Sequence, residues 1–260
     1  MKITILGSGT STGVPMVGCS CPVCRSGDPR DRRTRASLMI CHEGRTILVD
    51  SSTDLRQQAL REGVGRVDAV LFTHAHADHV NGIDDLRGFH FLHQELIPCF
   101  AGQETLTILE NNFGYIFREL NDSGYTPLLE PHRIDGPFQL FGLTIIPVPL
   151  DHGRGECLGY RIGPFAYLTD CRAIPEESLG LLQGLELLII DGLRWRPHRT
   201  HFNIEGAMAA VAPLKPVRTI LTHLSHDVSH ADNQRLPEGF GLASDGMTFT
   251  LPEAHGDHHA

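Results

Sequence analysis

Short apolar runs bounded by turn residues recur along the chain, at 2–6, 46–49, 69–72, 143–150, 165–168, 187–190 and 219–221. Their length and β-branched content predict buried strands. Between some of them the apolar positions change to helical spacing. Residues 53–62 carry leucines at 55 and 60 and end at Gly63, a residue suited to close a helix. Residues 175–183 begin with a proline and two acids, as a helix N-terminus should. Asn203 is placed to cap a helix over 204–211, and 102–120 also read as helical and partly buried. No low-complexity linker or internal repeat interrupts the pattern. It predicts one mixed α/β domain over 1–254, followed by a disordered tail at 255–260.

Composition narrows the class. No apolar stretch reaches eighteen residues, so no transmembrane helix is expected. The chain enters a strand pattern at once, without a signal-peptide cleavage region, and a cytoplasmic protein is the expectation. The net charge of −9 argues against broad nucleic-acid binding, which rests on basic surface. The basic run 25–35, with five arginines and two aspartates, reads as a solvated loop. The seven cysteines are not spaced as a secreted disulfide framework. Cys19, Cys21 and Cys24 crowd together, which in a reducing compartment favours metal binding. Cys41, Cys99, Cys157 and Cys171 read as ordinary half-buried thiols.

The chemistry concentrates behind the apolar run at 69–72. His74, His76, Asp78 and His79 place three imidazoles and a carboxylate within six residues. Imidazole and carboxylate are ligands for zinc and for harder divalent metals such as manganese or iron. Further candidate ligands stand where other strand runs end: His152, Asp170 and His223. Strand ends fix the origin of a ligand while the loops leave room for substrate.

This pattern along nearly the whole chain resembles the metallo-β-lactamase superfamily. The resemblance implies a four-layer αββα sandwich with a two-metal site at one edge. It implies His74, His76 and His152 on one metal, Asp78, His79 and His223 on the second, and Asp170 bridging both. Two such metals lower the pKa of a shared water and clamp a substrate oxygen, so a bridging hydroxide becomes the nucleophile. The resemblance implies two divalent ions at the active site, and the mixed His/Asp ligand set accepts zinc, manganese or iron.

The cysteine cluster at 18–26 and the run from Thr222 through His223 to His226 are similar to a subgroup, the phosphoribosyl 1,2-cyclic phosphate phosphodiesterases. That similarity implies a structural zinc on Cys19, Cys21, Cys24 and His226, four ligands that would close a tetrahedral site. It also implies a histidine that protonates the leaving alkoxide, because a sugar oxygen is too basic to depart unaided. His201 aligns best and His198 is its rival. Asp78 is counted with His201 among the catalytic groups. Arg194, Arg196 and Arg199 are candidate phosphate contacts. Asp50 and Asp191, each ending a strand run, are expected to orient ligands or to be structural. The turn at 7–10, and His90, His93 and His132, read as structural.

The expected function is metal-dependent hydrolysis of a small, cyclic phosphodiester, with no membrane partner, no stable nucleic-acid complex and, on resemblance alone, a homodimer. The alternatives are ribonuclease Z-like processing of tRNA 3′ ends, thioester hydrolysis, and a non-catalytic carrier like the pyrroloquinoline-quinone biosynthesis protein B. The absence of a Gly/Pro-rich arm and the negative charge disfavour the first. The cysteine cluster and His201 disfavour the second, and the intact ligand set disfavours the third.

Overall fold

The computed structural model describes residues 1–118 and 128–252. The apolar runs pair into two mixed sheets of seven strands each. The first contains β1 (Lys2–Gly7), β2 (Ser37–His42), β3 (Arg45–Val49), β4 (Ala69–Leu71), β5 (Ile97–Ala101) and β6 (Leu129–Arg133). The second contains β7 (Phe138–Leu140), β8 (Leu143–Pro149), β9 (Leu158–Ile162), β10 (Phe165–Leu168), β11 (Leu187–Asp191), β12 (Arg218–Thr222) and β13 (Phe240–Leu242). The last strand, β14 (Thr248–Thr250), returns to pair antiparallel with β1 in the first sheet. In each sheet one half is antiparallel and the other parallel, with β3 to β6 and β10 to β13 running the same way within their sheets.

Three separate apolar layers explain the sandwich. Between the sheets, side chains such as Ile3, Ile40 and Ile47 meet Tyr160, Phe165 and Ile189. On the outer face of the first sheet, Leu48, Val70 and Phe72 are covered by α1 (Leu55–Glu62), α2 (Ala77–Val80), α3 (Arg87–His93), α4 (Gln103–Asn112) and α5 (Gly114–Phe117). On the outer face of the second sheet, Ala166, Leu188 and Leu221 are covered by α6 (Glu176–Leu179) and α7 (Ile204–Val211). Strands buried on both faces read as continuous apolar runs, which is why they stand out in the sequence. The result is the expected four-layer αββα arrangement.

Local details differ from expectation in three places. Pro175 precedes α6 instead of starting it, and the helix gives way to a 3-10 turn at Gly180–Leu182. The helical stretch from 102 is two helices parted at Phe113, and its last two residues, 119 and 120, lie outside the described residues, as does the tail at 255–260. The basic run is solvated only in part: Arg25, Arg30 and Arg32 are exposed, but the Arg33 side chain is fully buried, bonded to Asp31 at 3.2 Å and to the carbonyls of Ser225 and Val228 at 3.3 and 2.7 Å. The two carbonyls lie some 190 residues away in sequence, so charge pattern alone could not locate them. The expected helix caps are present. Gly63 closes α1 with a φ of 63°, and the Asn203 side chain accepts from the Gly206 amide.

Glycine at the end of β1 follows from close approach. A Cβ on Gly7 would sit 1.9 Å from the Arg35 carbonyl oxygen. The two sheets are tied where β4 ends: the Tyr160 hydroxyl donates to the Phe72 carbonyl at 2.5 Å and the Leu158 amide to the Thr73 carbonyl at 2.9 Å. Among the described residues no helix is long and apolar enough to cross a membrane.

Candidate metal centre

The loops after β3, β4, β8, β10, β11 and β12 meet at one edge of the sandwich. There they bring together all seven residues of the predicted two-metal set. His74 Nε2 and His152 Nε2 lie 2.8 and 3.2 Å from His76 Nδ1, and each is 3.8 Å from Asp170 Oδ2. The other oxygen, Asp170 Oδ1, is 3.2 Å from His79 Nε2 and 3.4 Å from His223 Nε2. Asp78 Oδ2 completes that second group at 3.3 and 3.5 Å from the same two nitrogens. One carboxylate thus faces three imidazoles with one oxygen and two imidazoles plus a carboxylate with the other. Each group keeps its ligand atoms within 4.8 Å of one another.

Neighbouring groups orient the rings. His79 Nδ1 bonds to Asp50 Oδ2 at 2.7 Å, and the Thr73 amide and hydroxyl donate to the same carboxylate at 2.8 and 2.9 Å. With its proton directed to Asp50, the Thr73 oxygen accepts from His74 Nδ1 at 3.0 Å. His152 Nδ1 donates to the Thr200 carbonyl at 2.9 Å. These bonds direct the Nδ1 protons away from the cluster and aim the other ring nitrogens inward, where each offers a lone pair to a cation in the neutral ring. Asp50 is therefore an orienting acid.

The donor set fits divalent cations. His79 Nε2, His223 Nε2 and Asp78 Oδ2 are buried with no hydrogen-bond partner among the described residues. Unpaired buried polar atoms are unfavourable, and a cation would engage all three at once. The charges agree: burial alone would raise the Asp170 carboxyl, but His223 and His79 hold it well below the usual carboxylate range. Burial holds His74 well below the usual histidine value, suiting it to bind as the neutral ring. Three residues at this edge, Asp50, Asp170 and His223, adopt positive φ of 64°, 55° and 57°. Aspartate and histidine tolerate that left-handed backbone better than most residues.

A second cluster lies alongside. The Sγ atoms of Cys19, Cys21 and Cys24 approach His226 Nδ1 at 3.2, 3.6 and 3.6 Å. The Cys24 amide, with its neighbouring thiols, brings Cys21 down to about 7, whereas burial pushes Cys24 up to about 11. The remaining cysteines are more enclosed than expected. Cys99, Cys157 and Cys171 are fully buried and only Cys41 is half-buried. Burial raises the thiols of Cys99, Cys157 and Cys171, which marks them as inert packing groups.

The metal groups open into a cleft of about 630 Å³ that His201 also lines, and His198 does not. His201 Nδ1 bonds to Asp191 Oδ2 at 2.6 Å, and its ring stacks on His223 at 4.8 Å between centroids. Two of the predicted phosphate arginines are engaged elsewhere. Arg196 pairs with Asp227 at 2.8 Å, Arg194 approaches the same carboxylate at 3.9 Å, and neither lines the cleft; nor does Arg199. The cation that does line it is Arg154, which the sequence signalled only as Gly-Arg-Gly directly behind His152. His90 and His93 bond to backbone carbonyls and His132 stacks on Phe100, all outside the cleft.

Fold, ligand order and family agree: residues 45–224 match the β-lactamase superfamily domain, and the chain belongs to that superfamily as a metallo-β-lactamase-fold hydrolase. Within it, the chain is similar to a crystal structure described as a new diphosphatase from the PhnP family. The two are 42% identical with a TM-score of 0.90, over 96% of this chain and 98% of that one. It is 44% identical over 259 residues to an octanoyltransferase of Porphyromonas gingivalis, covering 97% of this chain and 52% of that protein. The chain therefore spans about half the length of that relative. Coenzyme PQQ synthesis protein B of Xanthomonas oryzae pv. oryzae is 27% identical over 309 residues, covering 96% of this chain and 100% of that protein.

Proposed function

We propose that the protein is a metal-dependent phosphodiesterase acting on a small, cyclic phosphodiester. His74, His76 and His152 would hold one divalent ion, Asp78, His79 and His223 a second, with Asp170 between them. Bound there, zinc, manganese or iron supplies an activated water and a positive clamp on the phosphoryl oxygens. Asp50, Thr73 and the Thr200 carbonyl hold the imidazoles in register for that binding. Cys19, Cys21, Cys24 and His226 would hold a structural zinc that anchors the N-terminal loop beside His223.

His201 does the remaining proton chemistry. Asp191 accepts from Nδ1, so the ring plane is held and a proton on Nε2 is presented to the cleft. That proton passes to the leaving oxygen as the phosphorus–oxygen bond breaks. Asp78 shares the cleft wall and serves both as ligand and as a neighbour of the reacting group.

The observation that carries this reading is His201, braced by Asp191, in a cleft lined by five of the seven proposed metal-ligating side chains, His76, Asp78, His152, Asp170 and His223. A thioester leaves without such an acid, whereas an alkoxide needs one. The similarity to a diphosphatase supports phosphorus as the atom attacked. The charge of −9 favours a small substrate over a bound nucleic acid, and the homodimer rests on resemblance alone. The test is hydrolysis of bis(p-nitrophenyl) phosphate and a panel of cyclic phosphodiesters by protein loaded with manganese or zinc, beside a short RNA and a glutathione thioester. Turnover of the small phosphodiesters is expected. Full metal content with no phosphodiester turnover would overturn the proposal.

A further inference from the structure

Cys21 and Cys24 stand three positions apart, with Pro22 and Val23 between them. The backbone turns there as in a helix: the Arg25 amide donates to the Cys21 carbonyl at 3.1 Å. Side chains three apart on such a turn are neighbours. The Cys24 amide donates to the Cys21 sulfur at 3.4 Å, which draws the two residues together. Their exposures differ. Cys21 is half-buried and reaches solvent, whereas Cys24 is buried. An accessible sulfur next to an enclosed one is the arrangement of a redox-sensitive pair, in which the first is oxidised and the second resolves it. Cys19 precedes the turn, and of the three sulfurs it lies nearest His226 Nδ1, at 3.2 Å.

The same cluster ties the N-terminal loop to the segment that carries His223. Cys21 Sγ lies 3.8 Å from the His226 carbonyl. The Thr10 amide donates to the Leu224 carbonyl at 3.2 Å, and the Leu224 amide to the Ser8 carbonyl at 2.9 Å. His223 itself holds a left-handed φ of 57° only three positions before His226. A change at the sulfurs therefore reaches a metal-ligating imidazole through a very short stretch of chain.

We propose that Cys21 and Cys24 are a disulfide-forming pair, and that their oxidation by hydrogen peroxide empties the cluster and weakens the metal group around His223. This rests on the structural-zinc reading and adds a reversible modification to it. The Cys21 thiolate attacks one peroxide oxygen, the O–O bond breaks, hydroxide leaves and Cys21 becomes a sulfenic acid. The Cys24 thiolate then attacks the Cys21 sulfur, the S–O bond breaks, a second hydroxide leaves and the S–S bond forms. The two sulfurs give up two electrons, and the peroxide with two protons from solvent becomes two waters. Cys19 and His226 remain, two donors where a tetrahedral zinc needs four. A thiol reductant reverses the bond.

The test needs no turnover assay. Zinc-loaded wild type, Cys24→Ser and Cys41→Ser are treated with hydrogen peroxide and quenched with catalase. Zinc has no redox chemistry of its own, so the peroxide reports on the thiols. Wild type is expected to release about one zinc per chain to a chromogenic chelator, and peptide mass mapping should find Cys21 joined to Cys24. Dithiothreitol with zinc should restore both. Cys41→Ser changes the half-buried thiol on β2, outside both metal groups, and should behave as wild type. Cys24→Ser should leave Cys21 as a sulfenic acid that dimedone labels. Manganese titrated into the oxidised, metal-stripped wild type should bind one of its two sites about tenfold more weakly than in the reduced protein. Zinc release without a disulfide, a disulfide through Cys19, or manganese affinity unchanged by oxidation overturns the proposal. A Cys21–Cys24 disulfide in protein that never held a third metal would instead uphold the pair and remove the structural-zinc reading.

Discussion

Asp191 Oδ2 stands 2.6 Å from His201 Nδ1 and also accepts the Cys171 amide at 3.0 Å. The amide fixes the carboxylate from below, and the carboxylate in turn fixes the imidazole. His201 itself is only about one-tenth exposed, so its ring has little freedom once that bond is made.

Asp191→Asn removes the charge and leaves the shape. If His201 is the proton donor, turnover of a phosphodiester with an alkyl leaving group should fall by about tenfold to hundredfold. A p-nitrophenyl leaving group departs without help, and its turnover should change by less than about threefold. Metal content, measured by elemental analysis, should stay full. Equal losses on both substrates would assign Asp191 a purely structural part.

Cys21→Ser takes one sulfur from the cluster around His226. Metal content is expected to fall from about three ions per chain to about two, because three remaining ligands no longer close a tetrahedral zinc site. Unchanged stoichiometry would mean that the cysteines hold no metal.

Arg33→Ala strips one partner from a fully buried ion pair. Asp31 would then be left buried against the His230 amide alone, at 2.6 Å. Loss of one partner from such a pair destabilises by about 3–5 kcal/mol. A urea midpoint within error of wild type would contradict it. The same substitution should loosen the segment 225–230, since Arg33 bonds two of its carbonyls.

Asp68 provides a pH signature. Burial works to raise its carboxyl, but Arg66, the Thr46 amide and Arg45 outweigh it and hold the group below the usual carboxylate range. Their distances are 2.6, 2.8 and 2.8 Å. A carboxyl lowered by folding contributes stability that is complete above its unfolded value of about 3.9 and is lost as pH falls through its folded value. Asp68→Asn should therefore be less stable than wild type at neutral pH, with the gap closing below about pH 4. Denaturant titrations at pH 7, 5 and 3 give the comparison. A gap independent of pH would sink the assignment.

The strands were legible because they are local patterns, and so was the crowding of candidate ligands at His74 to His79, which packing then joins to His152, Asp170 and His223. Runs such as 187–190 are apolar on both faces, and His74 to His79 compress four donors into six positions. Asp50 and Asp191 were identifiable as strand-end acids, although which imidazole each one holds emerged only from the packing. Arg33 is not marked by charge pattern, because its burial depends also on carbonyls from the far end of the chain. Arg154 has no periodicity to mark it in the sequence, and its meaning comes from the cleft it faces. The division of the helical stretch after 102 turns on Phe113, whose φ of −128° departs from helical values.

The left-handed backbone at Asp50, Asp170 and His223 places these positions under two opposed selections. Glycine would suit each backbone better, since a side chain in that region is strained by about 1–3 kcal/mol. Yet glycine carries no carboxylate or imidazole. Keeping the donor means keeping the strain, so the empty scaffold and the working site are optimised by different residues at the same three places. Selection for thermal endurance alone would erode this cleft first.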